Sequence, residues 1–502
     1  MRSQKSILLV TVDCLRADHV GFTGYQRPTT PFLDSLANGS LGNDSFVFPA
    51  AIVAGAPTYY SLPSIMASRY PLALGRDVLG LAPGESTIAS AAQQAGYATA
   101  AFSAANPYIS ERFGFAQGFD FFRDFNHEEL QPLSEERGNL ASNNGGAHRL
   151  NRSLEKIARS LGPLGTVYDE LYFRYCQRVA PVADSIDALR RFPSADVVVD
   201  HACEWITSIG DRPFFLWLHV MDPHAPYYPK DNALALMKQE PITPYRARYL
   251  NSYWNRSDLG PQRLAAYREE IVALYDAGIR WVDAQIARLV DALRGEGQWD
   301  DCVLAVTADH GEEFLDHGGR FHPPSTLMEE IIHVPLVVRV PGTEKKALST
   351  SPFSLLHLAP TLLDAAELPI PASFQGRSCW PQLRDGPSHD AVAISECVAG
   401  CANPFHQENR FGPRVLSVRE ERFKLVLHFD PRAENLYDLE ADPGERAPLP
   451  LGAEKPMRRR LLEFARNHLQ RPIGDGLRIQ ARLREHRLEW SAPAAKASAV
   501  AS

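Results

Sequence analysis

Near its start the chain reads Ile7-Leu8-Leu9-Val10-Thr11-Val12-Asp13, an unbroken apolar run that ends in a carboxylate. Much later it reads Val303-Leu304-Ala305-Val306-Thr307-Ala308-Asp309-His310-Gly311-Glu312, a second run of the same kind. Continuous apolar runs of this length are typical of strands that are buried on both faces of a parallel sheet. Enzymes built on such sheets place their active sites at the carboxyl edge. We therefore expect Asp13, Asp309 and His310 to meet at one edge of a central sheet.

Strand-like and helix-like segments alternate over most of the chain. Further strands are predicted over residues 98–102 and 214–220, and helices over residues 30–37, 88–95, 195–209 and 264–295. This alternation favours an α/β fold, doubly wound, with a mainly parallel central sheet flanked by helices. Towards the end of the chain the elements become shorter. Residues 415–419 and 423–429 predict a hairpin and residues 435–439 predict an edge strand, which indicates a smaller C-terminal α+β subdomain.

These patterns divide the chain into three parts. Residues 1–384 form the predicted larger domain, residues 385–470 the smaller subdomain, and residues 471–502 an extension that we expect to be partly disordered. Residues from about 124 to 192 break the alternation and predict an insertion. The insertion either lies over one side of the site and shapes substrate access or is a surface excursion without a role, and the sequence leaves both interpretations open.

Composition and charge exclude some classes of protein. The chain has 502 residues, 45% of them hydrophobic, and a net charge of −8 without a basic run, so we expect no nucleic-acid partner. Its seven cysteines are scattered, which fits a reducing compartment. The first apolar run is too short, and too soon followed by charges, for a signal peptide or a transmembrane segment. We expect a cytoplasmic protein, whose oligomeric state the sequence does not indicate.

The two strand-end motifs predict a metal site. Asp13 and Asp309 offer carboxylate oxygens and His310 offers a nitrogen. This mixed ligand set suits one divalent metal, which could be Mn, Zn, Mg or Ca. After His310, Gly311 would permit a sharp turn, and the acidic residues that follow would open a helix.

Thr58 is the predicted nucleophile. It follows a short apolar stretch and precedes residues 61–71, which predict the start of a helix. The hydroxyl would then lie near a helix N-terminus, where backbone N–H groups attract an anion. A hydroxyl held there by the cation, as a further ligand, could attack a sulfate or phosphate ester.

Three histidines follow strand ends or the metal motif. His224 lies just after the predicted strand 214–220, and His317 and His322 follow the second apolar run. These residues predict general acid and anion-binding groups, with His224 or His317 protonating the leaving alcohol. They also leave room for a second metal, held by Asp222, His224 and His317 or His322, which would favour phosphodiesters.

Several of these motifs, taken in order, resemble those of the sulfatases of the alkaline phosphatase superfamily. The matching stretches are residues 10–19, 30–34, 222–224, 309–312, 317–318, 334–336, 436–439 and 442–445. The resemblance covers about residues 5–450. It implies an alkaline phosphatase-like catalytic domain, a bound divalent metal and hydrolysis through a covalent ester on the nucleophile.

One departure from the sulfatase pattern bears on the chemistry. Sulfatases carry a Cys, or sometimes a Ser, that is converted to formylglycine within a Cys-x-Pro-x-Arg motif. In this chain the Cys position falls on Thr58 and the Arg position on Leu62. Threonine cannot become formylglycine, so the chain resembles the unmodified Thr branch, which includes phosphodiesterases, phosphomutases and phosphoethanolamine transferases. His322 replaces the usual Lys, and Cys14 takes the place of a second acidic ligand.

The resemblance implies a metal-dependent hydrolase of sulfate, phosphate or phosphonate esters that acts through a covalent Thr58 intermediate. Its substrate would be a small-molecule or glycan ester. One alternative is a phospho-group transferase, in which an alcohol accepts the group; the lack of spanning helices argues against the membrane-anchored transferases of this type. The other alternative is a catalytically inactive homologue that binds anionic glycans, which the missing Arg and Lys favour and the intact metal and nucleophile residues oppose.

Overall fold

The computed structural model describes residues 4–126, 163–181, 183–344, 351–385, 392–450, 452–472 and 474. The strands in these ranges are β1 (Ser6–Val12), β2 (Ser45–Val47), β3 (Ala51–Ile52), β4 (Ala98–Ser103), β5 (Phe121–Arg123), β6 (Phe214–Val220), β7 (Cys302–Ala308), β8 (Glu313–Phe314), β9 (Arg320–Phe321), β10 (His333–Val334), β11 (Leu336–Arg339), β12 (Phe353–Ser354), β13 (Val392–Val398), β14 (Arg414–Glu420), β15 (Phe423–Phe429) and β16 (Arg432–Asp438). The α-helices in these ranges are α1 (Pro31–Ala37), α2 (Thr58–Ala67), α3 (Ile88–Gln94), α4 (Pro163–Val179), α5 (Ala195–Ile209), α6 (Asp231–Leu236), α7 (Pro244–Trp254), α8 (Pro261–Leu264), α9 (Arg268–Gly295), α10 (Glu329–Ile332), α11 (Leu358–Ala365), α12 (Trp380–Asp385) and α13 (Lys455–Leu469).

A seven-stranded sheet lies at the centre of the molecule, in the order β2-β11-β7-β1-β6-β4-β5. The five strands from β7 to β5 are parallel, and β11 joins β7 in the antiparallel direction. Every residue of β1, β6 and β7 is buried, which explains why these strands read as continuous apolar runs. The predicted mainly parallel sheet is confirmed.

Two groups of helices flank this sheet. In one group α5 and α1 pack against α9, and in the other α2 and α3 pack against α11. The apolar stripe of α9 is buried along its length, whereas the polar side faces outward. The predicted α/β fold is therefore confirmed, although the long helix begins at Arg268, after a short turn, rather than at residue 264.

The C-terminal strands form a separate antiparallel sheet, in the order β13-β14-β15-β16, and α13 packs against β14 and β15. The predicted hairpin and edge strand are thus confirmed, together with the smaller α+β subdomain. The predicted boundary near residue 385 stays a prediction. Most of the predicted insertion (residues 127–162) and most of the extension (residues 475–502) lie outside the described residues. Among the helices that are described, none is long and apolar enough to cross a membrane.

Candidate active site

Asp13 and Asp309 lie side by side, each directly after one of two neighbouring strands of the sheet. Because β1 and β7 are parallel, Val12 lies next to Ala308, and each strand is followed by one of the two aspartates. Both carboxylates are fully buried. Asp309 Oδ1 accepts a hydrogen bond from the backbone N–H of His310, at 2.9 Å. The register of two neighbouring strands therefore places the pair at the carboxyl edge of the sheet, as the sequence predicts.

Thr58 and His310 complete this cluster. Thr58 is the first residue of α2, and its Oγ1 lies 3.1 Å from Nε2 of His310. Nδ1 of His310 donates to the carbonyl of Gly311 at 2.8 Å, so Nε2 is left as an electron-pair donor. The same Nε2 lies 3.7 Å from Oδ1 of Asp13 and 3.5 Å from Oδ2 of Asp309. Four residues from three distant parts of the chain thus meet around one point.

This cluster fits a divalent cation. Oδ2 of Asp309 is buried and accepts no hydrogen bond within the described part of the chain. Burial and the neighbouring Asp13 carboxylate raise the pKa of Asp309. Ligand atoms about 2.0–2.6 Å from one cation lie roughly 3–4 Å apart, which agrees with the separations around His310. A cation would stabilise both buried carboxylates, so Asp13, Thr58, Asp309 and His310 are the residues that would hold it.

Two further residues hold Asp13 and were missed in the sequence. Oδ2 of Asp13 accepts a hydrogen bond from Nδ2 of Asn106 at 2.9 Å and lies 3.2 Å from Nε2 of His219. His219 is the penultimate residue of β6, and Asn106 follows β4. Burial alone would raise the pKa of Asp13, but the attraction of nearby histidines, His224 first, lowers it well below its usual range. The sequence predicts the strands that carry or precede these two residues, but it does not give the strand order that brings them beside Asp13.

His322 is oriented by a buried carboxylate. Its Nδ1 lies 3.2 Å from Oε2 of Glu312 and 3.4 Å from Sγ of Cys14. The hydroxyl of Tyr227 donates to the other oxygen of Glu312 at 2.9 Å. Although burial raises the pKa of Glu312, its contact with His322 outweighs this effect and lowers it. Burial and Glu312 raise the pKa of the Cys14 thiol, which is therefore neutral. An ionised Glu312 fixes the His322 ring with its Nε2 free.

His224 joins the same cluster of rings. The ring centroids of His224 and His322 are 5.1 Å apart, and those of His322 and His310 are 4.6 Å apart. His224 and His322 also line a cavity of about 310 Å³. Its other walls include Arg191, Tyr228, Trp254 and Phe321. Two of the three predicted histidines therefore lie between the metal-binding cluster and an open cavity.

The structure does not bring His317 into this cluster. Its Nδ1 contacts Oε1 of Glu330 at 2.7 Å, and its Nε2 donates to the carbonyl of Glu445 at 3.2 Å. The hydrogen bond to Glu330 is the main cause of a rise in the pKa of His317 to about 9. With both nitrogens donating, a protonated His317 connects the larger domain to the C-terminal subdomain.

The second-metal set that the sequence allows, Asp222, His224 and His317 or His322, is not assembled either. Arg190 donates to Oδ1 of Asp222 at 2.7 Å, and the backbone N–H of Ala195 donates to Oδ2 at 2.9 Å. Both carboxylate oxygens are thus used to anchor α5 and the segment before it. The expected helix after Gly311 is also absent, because Glu313–Phe314 is strand β8 and pairs with β9.

Comparison with known proteins gives the family. The Sulfatase model matches residues 5–368, and the model for the C-terminal part of N-sulphoglucosamine sulphohydrolase matches residues 319–457. An arylsulfatase from Clostridium perfringens is 25% identical over 478 residues, which cover 88% of this chain and 89% of that protein. Arylsulfatase K from Gallus gallus is 25% identical over 273 residues, which cover 49% of this chain and 50% of that protein.

Coverage is partial for the first curated relatives. The chain spans half of the Gallus gallus protein and about a third of arylsulfatase K from Bos taurus, with 33% of its length matched. Among solved structures, the phosphonate monoester hydrolase of Agrobacterium radiobacter superposes with a TM-score of 0.62 at 21% identity, covering 95% of this chain and 96% of that one. It shares the fold described above. The Sulfatase model alone matches well over half of the residues of this chain. The chain therefore belongs to the sulfatase family of the alkaline phosphatase superfamily.

Proposed function

We propose that this protein is a metal-dependent hydrolase of sulfate, phosphate or phosphonate esters in which Thr58 is the nucleophile. The observation that carries the proposal is the position of Oγ1 of Thr58, buried at the first residue of α2 and 3.1 Å from Nε2 of His310. An attacking oxygen there stands beside the metal-binding residues and the N–H groups of a helix N-terminus. The family and the names of its relatives support ester hydrolysis in general.

Asp13, Asp309, His310 and Thr58 would hold the cation. When bound, a divalent cation favours the ionised form of an attached hydroxyl and offsets negative charge on the ester oxygens. Asn106 and His219 keep Asp13 oriented for this task. The donor set does not distinguish Mn, Zn, Mg and Ca.

The histidines would donate the proton to the leaving alcohol and contact the anionic group. Thr58 attacks sulfur or phosphorus, the bond to the leaving alcohol breaks, and His224 donates a proton to the departing oxygen. His322, oriented by Glu312, lies between His224 and His310 and contacts the anionic group or the leaving oxygen. His317 has a positioning role because its ring nitrogens are bound elsewhere.

Thr58 also determines how the adduct is released. A formylglycine hydrate can expel its sulfate by eliminating it through the second hydroxyl, whereas a threonine ester has one oxygen on that carbon. Water must therefore displace Thr58 at sulfur or phosphorus in a second in-line step. Leu62 adds no positive charge, so the site favours singly charged groups, namely sulfate monoesters, phosphodiesters and phosphonate monoesters, over doubly charged phosphate monoesters.

The test is a side-by-side assay of aryl sulfate, phosphate monoester, phosphate diester and phosphonate ester. We expect the wild type to hydrolyse one of the singly charged esters, and Thr58→Ala to lose about a thousandfold or more of that activity. Ser64→Ala is the matched control, because its hydroxyl is buried in the same helix and, among the described residues, bonds only to the carbonyl of Tyr60. A covalent adduct should be found on Thr58 by mass spectrometry.

Other outcomes would identify the alternatives. Full activity in Thr58→Ala would overturn the proposed nucleophile. Turnover that needs an added alcohol would indicate the transferase, since water and alcohol differ only in the second displacement. A protein that turns over none of the esters but binds anionic glycans equally well with and without the Thr58 hydroxyl would be the inactive binding protein.

A further inference from the structure

If the sulfur or phosphorus of an ester lies near Thr58, the alcohol part of that ester extends past His224 and His322. The cavity beside these two histidines is the space that is open to it. Its volume of about 310 Å³ accommodates an aromatic ring or a single sugar. Tyr228, Trp254 and Phe321 give it flat apolar surfaces. These walls explain how a ring could be held, and the polar groups of the cavity determine which ring.

Arg191 provides an unused positive charge in this wall. Its side chain makes no hydrogen bond or ion pair with any other residue that the structure describes, and the residue is exposed. The preceding Arg190 is different, because its side chain is only 7% exposed and is paired with Asp222. One arginine therefore anchors the segment, and the next borders the cavity without a partner among the described residues.

The cavity contains no group that would oppose an anion. Its lining, as far as the structure describes it, includes no Asp or Glu. Glu312 lies behind His322 and is already bonded to that histidine and to Tyr227. The positive charge of Arg191, without a competing carboxylate in the lining, makes the cavity complementary to an anionic substituent of the alcohol.

We propose that the preferred substrate is an ester whose alcohol part carries a carboxylate, which pairs with Arg191. The proposal rests on the proposed function, because it identifies the alcohol side of the ester that Thr58 attacks. It makes Arg191 a specificity-determining residue, outside the group that performs the chemistry.

The test compares 4-carboxyphenyl and 4-carbamoylphenyl esters, which have the same shape but differ in charge. The reacting group is whichever of sulfate, phosphate or phosphonate the wild type hydrolyses. We expect Arg191→Met to lower the preference for the carboxylate, expressed as the ratio of the two kcat/KM values, by about tenfold to a hundredfold. The change should be in KM, with kcat nearly constant.

Arg212→Met is the control, since Arg212 is also exposed but does not line the cavity. Binding of the free alcohols, 4-hydroxybenzoate and 4-hydroxybenzamide, is measured in parallel by calorimetry and does not require turnover. Discrimination in binding that disappears in Arg191→Met supports the proposal even if no ester is hydrolysed, in which case the proposed function fails alone. Equal binding of the two alcohols by the wild type, or an unchanged ratio in Arg191→Met, would overturn it.

Discussion

At the scale of single residues, the site depends on groups that hold the metal ligands. Asp13 is a proposed ligand, and its Oδ2 accepts a hydrogen bond from Asn106 at 2.9 Å and faces His219. Partners of this kind orient a ligand and keep it ionised.

We expect Asn106→Ala to weaken binding of a divalent cation by about 10- to 100-fold, measured by calorimetry. Asn232→Ala, on the exposed side of α6, should leave the affinity unchanged. Equal affinities for the two variants would show that Asn106 does not orient Asp13.

A second residue-scale prediction concerns His317. Its pKa is raised from an ordinary value of 6.5 to about 9, first by the hydrogen bond to Glu330. The protonated ring stabilises the fold fully below pH 6.5, where the unfolded chain is protonated as well, and this contribution is lost as the pH rises through about 9. We therefore expect the free energy of unfolding of the wild type to exceed that of His317→Gln at pH 6.5 and to approach it at pH 9.

Urea unfolding across this pH range measures the difference. His406→Gln is the control, because His406 is 63% exposed in its side chain. Its contact with Glu408, at 3.8 Å, is exposed and therefore screened by water, so the control tests for a general effect of removing a surface histidine. A constant difference for His317→Gln would mean that the pair with Glu330 is neutral.

At the scale of elements, the metal motif is held by close contact between two backbone segments. The N–H groups of Gly311 and Glu312 donate to the carbonyls of Ile331 and Glu330 at 2.8 and 3.0 Å. A Cβ on Gly311 would lie 2.0 Å from the carbonyl oxygen of Glu330. The absence of a side chain at Gly311 therefore permits the close approach to α10, and since its φ is not positive, the turn after His310 needs no left-handed backbone.

Replacing this glycine tests the contact. We expect Gly311→Ala to lower the free energy of unfolding by about 3 kcal/mol, because the atom that must move belongs to the backbone. It should also weaken metal binding by displacing His310. Gly295→Ala is a suitable control: a Cβ there meets nothing within 4 Å, and the residue ends α9. That variant should be neutral or up to about 1 kcal/mol more stable in chemical denaturation. Equal stabilities would exclude a tight contact at Gly311.

At the scale of the whole molecule, the sequence predicts what depends on local pattern. Asp13, Asp309 and His310 follow apolar runs, and parallel pairing of two such runs is enough to bring them together. His219 and Asn106 were not identified because their place depends on the order of β1, β6 and β4 in the sheet, which no single segment encodes.

In the loops, too, the position of a side chain could not be predicted from the local sequence alone. In the sequence, His317 and Asp222 resemble site residues. In the structure, Glu330 and Glu445 orient the side chain of His317, and Arg190 orients that of Asp222; these partners are distant in the chain or lie on another element. The acidic residues after Gly311 continue as β8 because β9 is available to pair with it. Tertiary partners, rather than local propensity, decide these positions.

The proposed metal site is also a property of the whole molecule, because Asp13 follows β1, Thr58 begins α2, and Asp309 and His310 follow β7. A cation that binds only the folded state adds to the free energy of unfolding. We expect a chelator to lower the unfolding midpoint and added Mn²⁺ or Zn²⁺ to restore it. Burial and Asp13 raise the pKa of Asp309, so protons compete with the cation for this carboxylate as the pH falls. Affinity should therefore fall as the pH decreases, with proton release detected by calorimetry in buffers of different ionisation enthalpy. Thr58→Ala retains both carboxylates and should show the same pH dependence, whereas a pH-independent affinity would mean that Asp309 is already ionised without the metal.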